Sequence, residues 1–325
     1  MTEPVRAVML DPDWFGDVEA EREHFEHLLN NDVVVDAIDC TDEEIPERVD
    51  DADLLLTHYT EVSANSMDAT GCSVVARYAT GIDGIDIDAA TERGIRVTRV
   101  PTYCNNEVGM HAVSLALALV RGLPMYDAAT SDGVWEWRDP VPIHPVEDLT
   151  FGLLAFGNKA QAAGEKAATL GFDVCAYDPY LDDETIRENG ARPVDFEELL
   201  ESADIVSIHM PLTEETESMI DADVIDQLDD NAVLVNTARG RIIDEEALRT
   251  ALEDDRLRGA GLDVFREEPP SPDNPLLNRE DVIATPHAAW YSTRSEEVLR
   301  QRGTEIAVAA YNGEIVDGLV NPDAF

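Results

Sequence analysis

The amino-acid sequence predicts an α/β protein built from two open, doubly wound parallel sheets with an active-site cleft between them. Three observations predict it. Short apolar runs alternate with amphipathic stretches along the chain, the pattern of parallel strands joined by crossover helices. The runs fall into two sets, parted after residue 100 by a long apolar helix. The chain has 325 residues, long for one domain, and 44% of them are hydrophobic, enough to fill two cores.

In the first set, residues 5–10, 33–38, 53–57, 73–78 and 96–99 read as strands, with a helix over 17–30. Residues 107–123 form a helix that is apolar on most faces, so it is expected to be buried between domains. A polar loop follows at 132–148, carrying Trp135, Trp137 and three prolines. The second set has strands at 151–156, 173–177, 205–209, 232–236 and 259–263 and a short one ending at Ile283 and Ala284, with helices at 161–170 and 295–311. A short echo links the sets. Ala52-Asp53-Leu54-Leu55-Leu56 resembles Ala203-Asp204-Ile205-Val206-Ser207, and each leads to a strand ending in an arginine, Arg77 and Arg239.

Charge excludes several function classes. Asp plus Glu number 69 against 23 Lys plus Arg, a net charge of −46, and Lys159 and Lys166 are the two lysines. The acids are dispersed and the apolar content is ordinary, so the chain is not read as disordered. Such a surface repels itself in dilute buffer; salt screens it, with a Debye length of about 3 Å at 1 M. The expectation is a salt-adapted protein. Nucleic acid and anionic membrane are excluded as partners on the same ground. No 18-residue apolar run and no signal-peptide pattern occur, so a cytoplasmic location is expected. Cys40, Cys72, Cys104 and Cys175 stand singly, which predicts neither a metal site nor a disulfide framework.

Ligands of open α/β sheets bind beyond the carboxyl ends of the strands. After the strand at 151–156, Gly157-Asn158-Lys159-Ala160 opens a helix. Aligned with G-x-G-x-x-G, it keeps the middle glycine, which lets the backbone approach a pyrophosphate. Asp178 ends the next strand 21 residues later, where an acid accepts hydrogen bonds from ribose hydroxyls and repels a 2′-phosphate. The pair predicts NAD and disfavours NADP. Other strand ends supply Arg239, Asp263 with Glu268 five residues on, and His287. Arginine grips a carboxylate with two parallel bonds, and a carboxylate beside histidine orients the imidazole. Together they suit binding a small acid and exchanging a proton with its hydroxyl.

Asn236-Thr237-Ala238-Arg239-Gly240, Leu262-Asp263-Val264-Phe265 with Glu268-Pro269, and Thr285-Pro286-His287 resemble the signature series of the D-isomer-specific 2-hydroxyacid dehydrogenases. The resemblance runs from about residue 54 to 321. His287-Ala288-Ala289-Trp290-Tyr291-Ser292 is similar to the branch holding the C-terminal binding proteins and their bacterial dehydrogenase relatives. It implies two Rossmann-like domains: a flavodoxin-like substrate domain (1–100 plus 290–325) and an NAD-binding domain (101–289). It implies an NAD-dependent enzyme interconverting a 2-keto acid and a D-2-hydroxy acid, with Arg239 as carboxylate anchor, His287 as general acid/base and Glu268 orienting His287. Thr80, Gly157, Asn158, Lys159, Asp178, Met210, Pro211, Thr216, Thr237, Ala238 and Asp263 would contact the cofactor, Asp263 near the nicotinamide carboxamide. Arg77, Ala79, Gly81 and Trp290 would line the substrate pocket. A homodimer is implied, with the 107–123 helix and the Trp135/Trp137 loop as the expected contact.

The chain departs from the family pattern in places. Ala155 and Ala160 replace the first and third glycines, Ala79 stands where glycine is frequent, and Gly109-Met110 replaces an acid-containing pair before His111. An alanine in the tight turn places a Cβ where glycine is preferred. The altered glycine turn and the Trp290 segment motivate the alternative, an NAD(H)-sensing binding protein with little turnover. Glu268, where formate oxidation uses glutamine, argues against that chemistry, and the end at Phe325 argues against a long phosphoglycerate dehydrogenase.

Overall fold

A computed structural model describes residues 4–324 except 15, 31, 32 and 139–141. The chain divides into two compact units, Met1–Tyr103 with Ser292–Phe325, and Cys104–Tyr291.

The first unit has five parallel strands, β1 (Val5–Met9), β2 (Val33–Ala37), β3 (Leu54–Thr57), β4 (Val74–Arg77) and β5 (Arg96–Arg99), in the order β2-β1-β3-β4-β5. This is the flavodoxin-like order, with its switch point between β1 and β3. β3 and β4 are buried along their whole length, as expected of strands covered on both faces. The C-terminal helix Thr293–Tyr311 returns to this unit. There Thr304 meets the Tyr78 hydroxyl at 2.9 Å, and Arg300 clamps the fully buried Glu21 at 2.8 and 2.7 Å.

The second unit has seven parallel strands: β6 (Thr150–Leu154), β7 (Asp173–Tyr177), β8 (Arg192–Pro193), β9 (Ile205–Ile208), β10 (Val233–Asn236), β11 (Gly259–Leu262) and β12 (Val282–Ala284). Their order is β12-β11-β10-β9-β6-β7-β8, which reverses between β6 and β9, the crevice where such sheets bind dinucleotides. β8 is absent from the sequence reading: it is two residues long and ends in proline, which removes a ladder donor.

The long apolar helix spans Asn105–Val120. It packs inside its own unit, against helix Asn158–Leu170 and strands β10 and β11. Small residues make this possible. A Cβ on Gly109 would sit 2.7 Å from the Ala163 nitrogen, so the glycine that departs from the family pattern lets two helix backbones touch. Of the 132–148 loop, residues 139–141 lie outside the described residues. Trp135 and Trp137 are exposed, and Arg138 lies over the Trp137 ring at 4.4 Å.

The short sequence echo corresponds to a shared construction. Asp53, before β3, donates its N–H to the Arg6 carbonyl (2.8 Å) and accepts the Arg6 N–H on its carboxylate (2.8 Å). Asp204, before β9, makes the same pair with Thr150, at 3.0 and 2.7 Å. In both units the pair pins the strands that flank the switch point. Among the described residues no single helix is long and apolar enough to cross a membrane.

Candidate active site

The turn after β6 leads into helix Asn158–Leu170, with Gly157 as its N-cap. Ala155, at the first glycine's position, has φ +68°, so the turn does require the left-handed conformation that alanine adopts at a cost. Asp178 steadies the turn: one carboxylate oxygen accepts the Phe156 N–H at 2.8 Å, and the other accepts the Tyr180 N–H at 2.9 Å.

Three features fit a dinucleotide here. A Cβ built on Gly157 would meet nothing within 4 Å, so the turn faces open space. No side chain caps the helix start, leaving its first amides for an anion. The Thr237 hydroxyl, beyond β10, is buried without a hydrogen-bond partner among the described residues. Asn158 is exposed and Lys159 half-buried at this helix start. Met210 is buried, while the Thr216 hydroxyl closes its own loop onto the Pro211 carbonyl at 2.6 Å.

Arg239, Glu268 and His287 follow three successive sheet neighbours, β10, β11 and β12. Buried Asn236 shapes the first loop, accepting the Ala238 N–H and donating to the Arg239 carbonyl, both at 2.9 Å. Arg239 Nη1 donates to the Ala238 carbonyl at 2.7 Å. A Cβ on Gly240 would lie 1.9 Å from the Phe265 carbonyl carbon, so the Arg239 and Glu268 loops are in backbone contact. Glu268 accepts the Phe265 N–H at 3.0 Å and meets His287 Nδ1 at 2.7 Å. Burial pushes the Glu268 carboxyl up, but the His287 bond and charge, the Phe265 amide and the Arg239 charge outweigh it and hold it below its usual value.

Asp263 lies just beyond β11 and braces the loop that carries His287. It is 1% exposed, and its carboxylate accepts the N–H groups of Ala288 (2.8 Å) and Ala289 (2.9 Å) and the Thr285 hydroxyl (2.6 Å). Its carbonyl accepts the His287 N–H at 2.8 Å. Those bonds hold His287 at φ +51°, another left-handed non-glycine residue.

Arg77, Ala79, Thr80 and Gly81 belong to the first unit. Arg77 is 8% exposed and bonds inward, to the Thr60 carbonyl at 3.1 Å and the Thr57 hydroxyl at 3.4 Å. The Thr80 hydroxyl donates to the Val100 carbonyl at 3.3 Å, and Ala79 offers its carbonyl to the Val100 amide at 2.9 Å. Trp290 meets Tyr291 edge to face, centroids 5.7 Å apart.

Sequence reasoning missed His209 and His111. His209 follows β9 at the switch point, 2.9 Å from Ser207 Oγ, and burial, with the Lys159 charge second, pushes its imidazole down to about 3. Its position one residue past a strand end was the available signal. His111 meets the Thr285 hydroxyl at 2.9 Å, a pairing across 174 residues that local sequence does not reveal.

The switch-point crevice is the geometry of a dinucleotide-binding sheet. A family model described as the D-isomer specific 2-hydroxyacid dehydrogenase NAD binding domain matches residues 113–289. A glyoxylate reductase of Korarchaeum cryptofilum is 36% identical over 86% of this chain and 86% of its own length. A D-3-phosphoglycerate dehydrogenase of Methanocaldococcus jannaschii is also 36% identical, over 86% of this chain, which spans 54% of that longer relative. The TT0316 protein of Thermus thermophilus superimposes with a TM-score of 0.84 at 30% identity, covering 97% of this chain and 100% of that one. The chain belongs to the D-isomer-specific 2-hydroxyacid dehydrogenase family. It is an NAD-dependent oxidoreductase.

Proposed function

We propose that the protein reduces a small 2-keto acid to the D-2-hydroxy acid with NADH. The observation that carries this is the 2.7 Å contact between His287 Nδ1 and Glu268, with Arg239 close enough to lower the Glu268 pKa. Glu268 takes up Nδ1 and leaves His287 Nε2 to hold the proton given to the carbonyl oxygen as it becomes a hydroxyl. Arg239 grips the substrate carboxylate and polarises the neighbouring carbonyl. Bound NADH supplies the hydride.

Gly157, Asn158, Lys159, Thr80, Met210, Pro211, Thr216, Thr237 and Ala238 line the cofactor, with Asp263 near the nicotinamide carboxamide, and Asp178, whose charge opposes a 2′-phosphate, sets the preference for NAD over NADP. Ala79, Gly81 and Trp290 contact the substrate. Arg77 acts on it indirectly, by shaping the loop after β3. The similarity to a glyoxylate reductase supports a short substrate side chain. The protein is a salt-adapted, cytoplasmic homodimer in this reading, supported by the net charge of −46 and by exposed Met110, Leu123, Val134, Trp135 and Trp137 on the second unit.

The test is NADH oxidation in about 2–3 M KCl, which screens the surface charge, with glyoxylate, hydroxypyruvate, pyruvate and phenylpyruvate. Turnover that His287→Ala abolishes supports the proposal. NADH binding without turnover on any of them favours the sensing alternative.

A further inference from the structure

Asp263 holds the loop that carries His287, and something in turn must hold Asp263. Its Oδ1 receives the Thr285 hydroxyl at 2.6 Å and the Ala288 N–H at 2.8 Å, and its Oδ2 receives the Ala289 N–H at 2.9 Å. The single Thr285 hydroxyl proton therefore points at Asp263. The Thr285 oxygen is then an acceptor toward its other neighbour, His111 Nε2, at 2.9 Å. That assigns the proton to Nε2 of His111. The result is a directional chain, His111 N–H to Thr285 O–H to Asp263 carboxylate, ending on the amides that follow His287. His111 Nε2 also lies 3.6 Å from Asp263 Oδ1.

The chain matters because of what it restrains. His287 sits at φ +51°, a left-handed conformation unfavourable for an L-residue, and its neighbours Thr285, Ala288 and Ala289 all bond to Asp263. Loosening Asp263 lets the loop relax and moves the imidazole from Glu268. The His111 end is anchored: helix Asn105–Val120 is locked against helix Asn158–Leu170 through the Gly109 contact.

We propose that His111 is a positioning residue of this enzyme, acting through Thr285 and Asp263 on the loop that carries the general acid/base His287. The proposal rests on the reading of His287 given above.

The test uses the full chain in high KCl. His111→Ala and Thr285→Val should each lower kcat about tenfold, the scale of a sub-ångström misplacement, with NADH affinity and thermal midpoint unchanged. The double variant should be no slower than the slower single one, because both break the same chain. His111→Gln, whose amide N–H still donates to Thr285, and Thr285→Ser should recover most of the loss. Independent effects that multiply, a His111→Ala enzyme as fast as the parent, or no rescue would each overturn the proposal. Should the parent turn over no keto acid, the proposed function fails while this inference is still read from amide hydrogen exchange. Exchange at Ala288 and Ala289 should rise about tenfold in His111→Ala and return in His111→Gln; unchanged exchange would overturn it.

Discussion

Each unit of the molecule ties down a strand-end loop with a buried aspartate, yet the two loops do different work. In the first unit Asp11, 4% exposed, accepts the N–H groups of His58 (2.9 Å) and Thr60 (2.8 Å) after β3. In the second, Asp263 accepts those of Ala288 and Ala289 after β12. The arginines diverge in the same way. Arg77 closes β4 and bonds inward to Thr57 and Thr60, whereas Arg239 lies three residues beyond β10, half-buried, beside Glu268. The shared parts are scaffold, and the chemistry is added by what each loop presents. A repeated scaffold can present different side chains on its two copies.

The arginines offer the sharpest way to break the comparison. Arg239→Lys should lower kcat/KM about 100-fold, because a point charge cannot replace the planar two-bond grip, and leave stability unchanged. Arg77→Lys should instead cost about 1–3 kcal/mol of stability through lost buried bonds, with kcat/KM within a few-fold. Steady-state kinetics beside urea titration in high KCl decide it; equal kinetic losses would erase the distinction.

The aspartates come next. Asp11→Asn and Asp263→Asn should each destabilise by about 1–3 kcal/mol, since each weakens bonds to buried amides, while the second alone lowers kcat.

Acid should expose the second unit first. Burial holds the His209 pKa at about 3 in the folded chain, against about 6.5 for the free side chain. The unfolded chain therefore binds the extra proton, so this stability is complete above about pH 6.5 and falls as pH drops toward 3. Glu268, whose pKa is lowered, adds stability present above about pH 4.3 and lost below it. His209→Asn should flatten the upper part of the decline and Glu268→Gln the lower part, read from unfolding midpoints across pH. A decline unchanged by both substitutions would place the acid sensitivity elsewhere.

The smallest effect is Ala155→Gly. Relief of the left-handed alanine outweighs the added chain entropy by at most about 1 kcal/mol, visible as a small rise in thermal midpoint. A fall would mean that the turn is not strained.

Much of this was legible in the sequence. The strands Arg96–Arg99 and Asp173–Tyr177 fall where the apolar runs place them, and the Asp53/Asp204 echo marked a real equivalence, because a motif that pins a switch point is local and repeats with it. The motif residues of the site were visible as strand ends. What escaped was non-local. The burial of helix Asn105–Val120 depends on Ala162 and Ala163, some 50 residues away, and apolar periodicity reports that a face is covered but not by what. Asp263 was recognisable as a strand-end acid, but its partners Ala288 and Ala289 bond through their backbone, which side-chain identity does not announce.

The Gly240 contact has a consequence for anyone reshaping this enzyme. Any side chain at position 240 drives the Phe265–Arg266 backbone away and carries Glu268 with it. Residues 236–240 and 263–268 are thus one exchangeable cassette. A library that varies either stretch alone samples mismatched halves, and a graft from a relative has to move both together.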